Sequence, residues 1–112
     1  MNKNDCEFPS ISDFQAAFGC EGSINEDMVQ CCDFIDRNGN KLRLTFGGID
    51  CYFGCSVFYG DWEVVRIYDE TLVRAKINKE KQAVEVFLSS SPEQVCSIKN
   101  WPEISVSMVR LK

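Results

Sequence analysis

Apolar residues first recur along this chain at helical spacing. Between residues 10 and 19, Ile11, Phe14 and Phe18 fall on one side of a 3.6-residue repeat, the mark of an amphipathic helix. Ser10, with Asp13 three positions on, has the form of a capping box, although Asp is a shorter arm than the preferred Glu or Gln. Gly19 stands where a left-handed residue ends a helix. A helix is therefore predicted over about 10–19. About two turns are too few to persist alone in water, so the stripe must dock on a core.

After a polar connection at residues 20–27 the period changes from 3.6 to 2. Strands are predicted at about 28–36, 41–46, 51–59, 62–68, 72–77, 82–88 and 104–111. Leu42, Leu44 and Phe46 alternate with Lys41, Arg43 and Thr45, as in a strand with one wet face. In 28–36 the polar residues fall on both parities, Gln30 and Asp36 on one and Asp33 on the other, which predicts a bulge near Cys31-Cys32 or a two-sided strand. Arg37-Asn38-Gly39-Asn40 carries the Asn-Gly pair that most strongly signals a hairpin. Residues 95–98 read as a brief edge strand, and Ser89-Ser90-Ser91-Pro92 as a short crossing at one end of the sheet. Together these elements predict a single domain, 1–112, of α+β class and mainly β. Its architecture is an antiparallel meander of six or seven strands with one short N-terminal helix packed on the sheet.

Composition agrees with one globular core: 112 residues, 45% hydrophobic and 26% charged, enough to bury most apolar surface without extra staples. The net charge of -5 is unevenly placed. Residues 1–36 hold Asp5, Glu7, Asp13, Glu21, Glu26, Asp27, Asp33 and Asp36 against Lys3 alone, a charge of -7. Residues 37–112 hold nine acids and eleven bases, a charge of +2. The acidity thus belongs to the first third. It disfavours a nucleic-acid backbone or an anionic membrane as partner and suits a basic protein steered onto this end. The plainer reading is that these acids solvate a helix and its loops. Arg66, Arg74 and Lys76 with Tyr68 would form a small basic stacking platform on one wet face. Glu63, Glu70 and Glu85 lie on the same strands, so cross-strand pairing is the simpler outcome.

Catalytic chemistry finds little to stand on. No histidine occurs, which removes the commonest general base and the Ser-His-Asp and Cys-His arrangements. The seven cysteines are odd in number and match no disulfide framework; without His or Cys-x-x-Cys they offer no zinc site. Cys31, Cys51 and Cys55 sit in apolar runs and read as reduced core thiols. Acidic neighbours of Cys6 and Cys20 raise a thiol pKa and so oppose activation. Asp33 with Asp36, and Asp61 with Glu63, are carboxylate pairs of the kind that hold Mg²⁺ or cleave glycosides, but hairpin ends are ordinary places for acids. No catalytic residue, cofactor or metal is assigned. The polar start, Met1-Asn2-Lys3-Asn4-Asp5, and the lack of any apolar run near the roughly 20 residues of a membrane helix predict a cytoplasmic location.

The aromatic residues point to binding instead. Tyr52, Phe53, Phe58, Tyr59, Trp62, Tyr68 and Trp101 exceed what the inward face of a small sheet needs. Phe58 and Tyr59 are adjacent and so face opposite ways. Exposed aromatics beside acids have the composition of a hot spot. The residues predicted to meet a partner are Glu21, Glu26, Asp27, Asp33, Asp36, Tyr59 and Trp62. The alternative is a small-ligand-binding or regulatory β-domain, with the aromatics between Phe53 and Trp62 lining a cavity.

The run Leu42-Arg43-Leu44-Thr45-Phe46, followed by the stretch from Val57 through Gly60-Asp61-Trp62 to Tyr68, resembles the β-meanders of small immunity proteins from bacterial polymorphic-toxin and contact-dependent growth-inhibition systems. The resemblance spans about residues 40–90 and is one of character: small, acidic, without catalytic residues. It implies a non-catalytic module that neutralises a cognate toxin domain, commonly a basic nuclease, by covering its active site. The acidic first third would then mimic phosphate charge, and exposed aromatics would supply desolvated anchors.

Overall fold

The structure, a computed structural model, describes residues 6–48, 50–89 and 93–110. The helix α1 spans Ile11–Phe18. Nine strands follow among the described residues, in two antiparallel sheets. The first holds β1 (Glu21–Ile24), β2 (Val29–Ile35), β3 (Lys41–Gly47), β4 (Tyr52–Tyr59) and β5 (Trp62–Asp69), in that order. The second holds β6 (Leu72–Asn78), β7 (Ala83–Leu88), β8 (Gln94–Lys99) and β9 (Ser105–Arg110). The mainly-β antiparallel character and the one short helix are as expected; the single meander of six or seven strands is corrected to two sheets.

Local chemistry explains the helix. Ser10 Oγ accepts from the Asp13 N–H and the Asp13 carboxylate accepts from the Ser10 N–H, each at 3.1 Å, so the box closes despite the shorter acid. Gly19 (φ +68°) donates its N–H to the Gln15 carbonyl at 2.8 Å. Gly22 on β1 lets the helix come close, since a Cβ there would lie 2.6 Å from Ile11 Cγ2. Ser10→Ala is expected to cost about 1 kcal/mol, read as a shifted urea midpoint with unchanged slope; an unchanged midpoint would show that the cap contributes nothing.

One core lies between the sheets. Leu42, Leu44, Phe46, Phe53 and Cys55 from the first meet Val84, Val86, Cys96 and Ile98 from the second. The helix adds Phe14, fully buried, stacked on Phe46 at 5.7 Å and edge-on to Phe34 at 6.4 Å. Phe53 packs on Phe46 at 5.6 Å within this filled interior, whereas Trp62 is 78% exposed. Phe53 thus belongs to the core and Trp62 to the surface.

Of the two causes expected for the mixed parity of β2, the bulge is absent from its pairing with β3. Its register with β3 is unbroken from Val29 opposite Gly47 to Ile35 opposite Lys41. Gln30 and Asp36 simply face inward with Cys32 and Phe34, and each is satisfied. Gln30 Nε2 donates to the Pro9 carbonyl at 2.8 Å. The Asp36 carboxylate accepts N–H bonds from Asn38 and Asn40 at 2.9 Å and from Ile104 at 3.1 Å. The first hairpin is thereby latched to the connection leading into β9. Register shifts occur instead at Val57/Phe58 and at Leu72/Arg74.

The N-terminal segment lies along β6: Glu7 donates to the Val73 carbonyl (3.1 Å) and accepts from the Ala75 N–H (2.8 Å). Beside it Cys6 and Cys51 form a disulfide, which corrects the reading of Cys51 as a reduced core thiol. Cys20, Cys31, Cys32, Cys55 and Cys96 are free. Burial pushes the Cys32 and Cys55 thiols up to about 12 and Cys96 to about 11, as expected of core sulfur.

Candidate functional site

Within the acidic first third, residues 11–35 fold into α1 and the β1–β2 hairpin, whose β1 is an edge strand of the five-stranded sheet. All four residues of β1 are exposed. Strand pairing sets Glu21 directly opposite Asp33. The row continues across the sheet's outer face through Arg43, Ser56 and Arg66, because these positions alternate with the buried Cys32, Leu44 and Cys55.

A cleft of about 410 Å³ opens on this face. Glu21, Asp33, Ile35, Lys41, Phe58 and Asp61 line it, so it reaches from the acidic edge to the β4–β5 hairpin. That hairpin carries Tyr59 and Trp62 as cross-strand partners, 53% and 78% exposed. The cleft thus brings together Glu21 and Asp33 of the predicted residues; Tyr59 and Trp62 do not line it and stand one residue out of phase with Phe58, which does. Glu26 and Asp27 lie on the turn of the β1–β2 hairpin, on the order of 15 Å further along the strands by strand rise. The turn is shaped by Asn25 Oδ1, which accepts from the Asp27 and Val29 N–H groups at 2.9 and 3.0 Å. Asp36 does not join them: it is 4% exposed and its carboxylate is taken up by the backbone. Its position at a hairpin end looked like a surface position, but it is an internal latch.

Sequence reasoning passed over Ile35, Lys41, Arg43 and Phe58. Parity held the signal for the first: Ile35 shares the outward phase of Asp33 and is 62% exposed. Arg43 clamps Asp33 through two bonds, Nε to Oδ1 at 2.7 Å and Nη2 to Oδ2 at 3.1 Å, a fork-to-carboxylate pair of the strong kind. That bond holds the Arg43 guanidinium above its ordinary pKa. Among the described residues Glu21 has no ion pair, so the negative charge of this row rests on it.

The thiols here are poor nucleophiles. Burial first, and then the Asp33 charge, push the Cys31 pKa up. Cys20 is raised chiefly by burial, with a further push from Asp33 across the hairpin, so its acidic sequence neighbour is not the main cause. Among the described residues no three His, Cys, Asp or Glu side chains are placed to hold a metal ion, and no described helix is long and apolar enough to cross a membrane. The basic stacking platform does not assemble. Arg66 and Tyr68 belong to the first sheet, with Arg66 paired to Glu63 at 2.8 Å. Arg74 and Lys76 lie in the second sheet over Phe87, at 4.7 and 5.5 Å from its ring centre.

No family model and no curated protein matches the sequence. Among solved structures, the chain shares its fold with a chain of a contact-dependent growth inhibition toxin–immunity protein complex from Klebsiella pneumoniae 342. The TM-score is 0.81 at 11% identity, over 95% of this chain and 97% of the other. At that identity the likeness establishes the architecture.

Proposed function

We propose that this chain is an immunity protein: a non-catalytic module of the cytoplasm that binds a cognate toxin domain and neutralises it by covering the toxin's active site. The observation that carries this reading is the architecture shared, over nearly the whole of both chains, with a member of a toxin–immunity complex. The toxin role suits this chain poorly. Its sequence has no histidine, and burial raises the pKa of its free thiols. In support, Glu21 and Asp33 at the sheet edge offer charge to steer a basic partner, and the exposed Tyr59 and Trp62 of the β4–β5 hairpin offer large aromatics to anchor it. A nuclease is the partner class that this charge fits, because a site built for phosphates is itself basic.

The test is protection. The coding sequence should directly follow that of a large secreted protein; cells expressing that protein's C-terminal domain should stop growing, and co-expression of this chain should restore growth. The two purified proteins should also elute together at equal stoichiometry. Growth arrest that this chain does not relieve, with no co-elution, would overturn the assignment.

A further inference from the structure

We infer that a second cleft at the same acidic end is a socket for an arginine residue of the partner; this deepens the partner-binding reading and rests on it. The cleft, about 480 Å³, lies where the C-terminal end of α1, the start of β1, the end of β2 and the connection after β8 meet. Phe18, Glu21, Asp33, Ile35, Asn100 and Trp101 line it.

Its charge asks for a cation. Glu21 and Asp33 stand opposite each other, an arrangement that is unfavourable until a positive group lies between or beside them. Arg43 occupies Asp33 from the outer face, leaving Glu21 toward the cleft without an ion pair among the described residues. The helix end adds to the field: its last turn carries no basic residue, so no side-chain cation offsets its negative end. Trp101, 46% exposed, offers a ring on which a guanidinium stacks better than an ammonium does.

An independent feature points to the rest of the ligand. Asn100 is 5% exposed, and among the described residues its Nδ2 has no hydrogen-bond partner. A buried donor left unpaired is costly, and Asn100 lines this cleft, so it marks a place where an acceptor arrives on binding. A guanidinium has no acceptor of its own. The incoming residue must therefore bring a carbonyl along with its positive charge, and an arginine supplies both from one residue, through backbone and side chain.

The probe is Nα-acetyl-L-arginine N-methylamide, titrated into the full ¹⁵N-labelled chain. The expected result is saturable movement of the Asn100 side-chain amide and Trp101 indole signals, with affinity on the order of millimolar for so small a contact. The matching citrulline compound, which keeps the shape and loses the charge, should leave them still. Glu21→Gln, an exposed and conservative change, should weaken the arginine probe about threefold to fivefold. No saturable shift up to the probe's solubility, equal shifts with citrulline, or full affinity in Glu21→Gln would each overturn the socket. Toxin capture that persists while the probe is ignored sinks the socket and leaves the immunity role standing; probe binding without toxin capture does the opposite.

Discussion

Asp36→Ala is expected to lower the unfolding free energy by about 3–5 kcal/mol, the range for removing one side of a buried charged network. The carboxylate accepts three backbone N–H groups, from Asn38, Asn40 and Ile104, and truncation leaves all three donors without it. Two of them shape the β2–β3 hairpin, and the third ties it to the chain entering β9. The loss therefore loosens a link between the two sheets as well as a turn. The pH dependence checks the mechanism. Burial alone would raise the Asp36 pKa, but the N–H groups of Ile104, Asn40 and Asn38 outweigh it and hold the carboxyl below its ordinary 3.8. The unfolded chain then protonates this group at higher pH than the folded chain does. Its contribution is complete above about 3.8 and is lost as pH falls through the lower folded value. Urea titrations at neutral pH and near pH 3 should show the wild type losing more stability on acidification than Asp36→Ala. Parallel losses in the two proteins would rule out the latch.

The same residue shows what could and could not be read along the chain. Ser10, Asp13 and Gly19 announce the helix because a cap is a contact between residues three or four apart. The alternation in β3 is equally local. β1 was invisible: Glu21-Gly22-Ser23-Ile24 is exposed throughout, so no apolar period marks it, and only its pairing with β2 makes it a strand. β8, read as a brief edge strand, runs from Gln94 to Lys99 between β7 and β9. The break between sheets hid in a connection of hairpin length, Glu70 and Thr71. There Asp69 Oδ1 accepts the Thr71 N–H at 2.7 Å, and the chain turns into a new sheet rather than back along β5. Cys6 and Cys51 are 45 residues apart, and nothing local pairs them. For the candidate surface, the placement of charge was legible from composition alone. The opposition of Glu21 to Asp33 and the inward turn of Asp36 depended on register, which one residue of slippage would reverse.

Reversing Glu21, Glu26 and Asp27 together to Lys should weaken binding of the cognate toxin about 100-fold at low salt, almost entirely through slower association. None of the three side chains makes an ion pair among the described residues, and all three are exposed. Stability should accordingly stay within about 0.5 kcal/mol of wild type. The difference between variant and wild type should shrink as ionic strength rises and the Debye length falls below the spacing of the charges. Trp62→Ala should behave differently. It removes an exposed anchor, so it should speed dissociation, cost about 2 kcal/mol, and do so equally at low and high salt. Asp36→Asn, a change at the internal acid, should leave association kinetics unaltered, because that carboxylate does not face the partner. Surface plasmon resonance with the immobilised toxin across a salt series separates the three. If the triple reversal binds as fast as wild type at every salt concentration, the acidic third serves solubility, and recognition lies elsewhere on the sandwich.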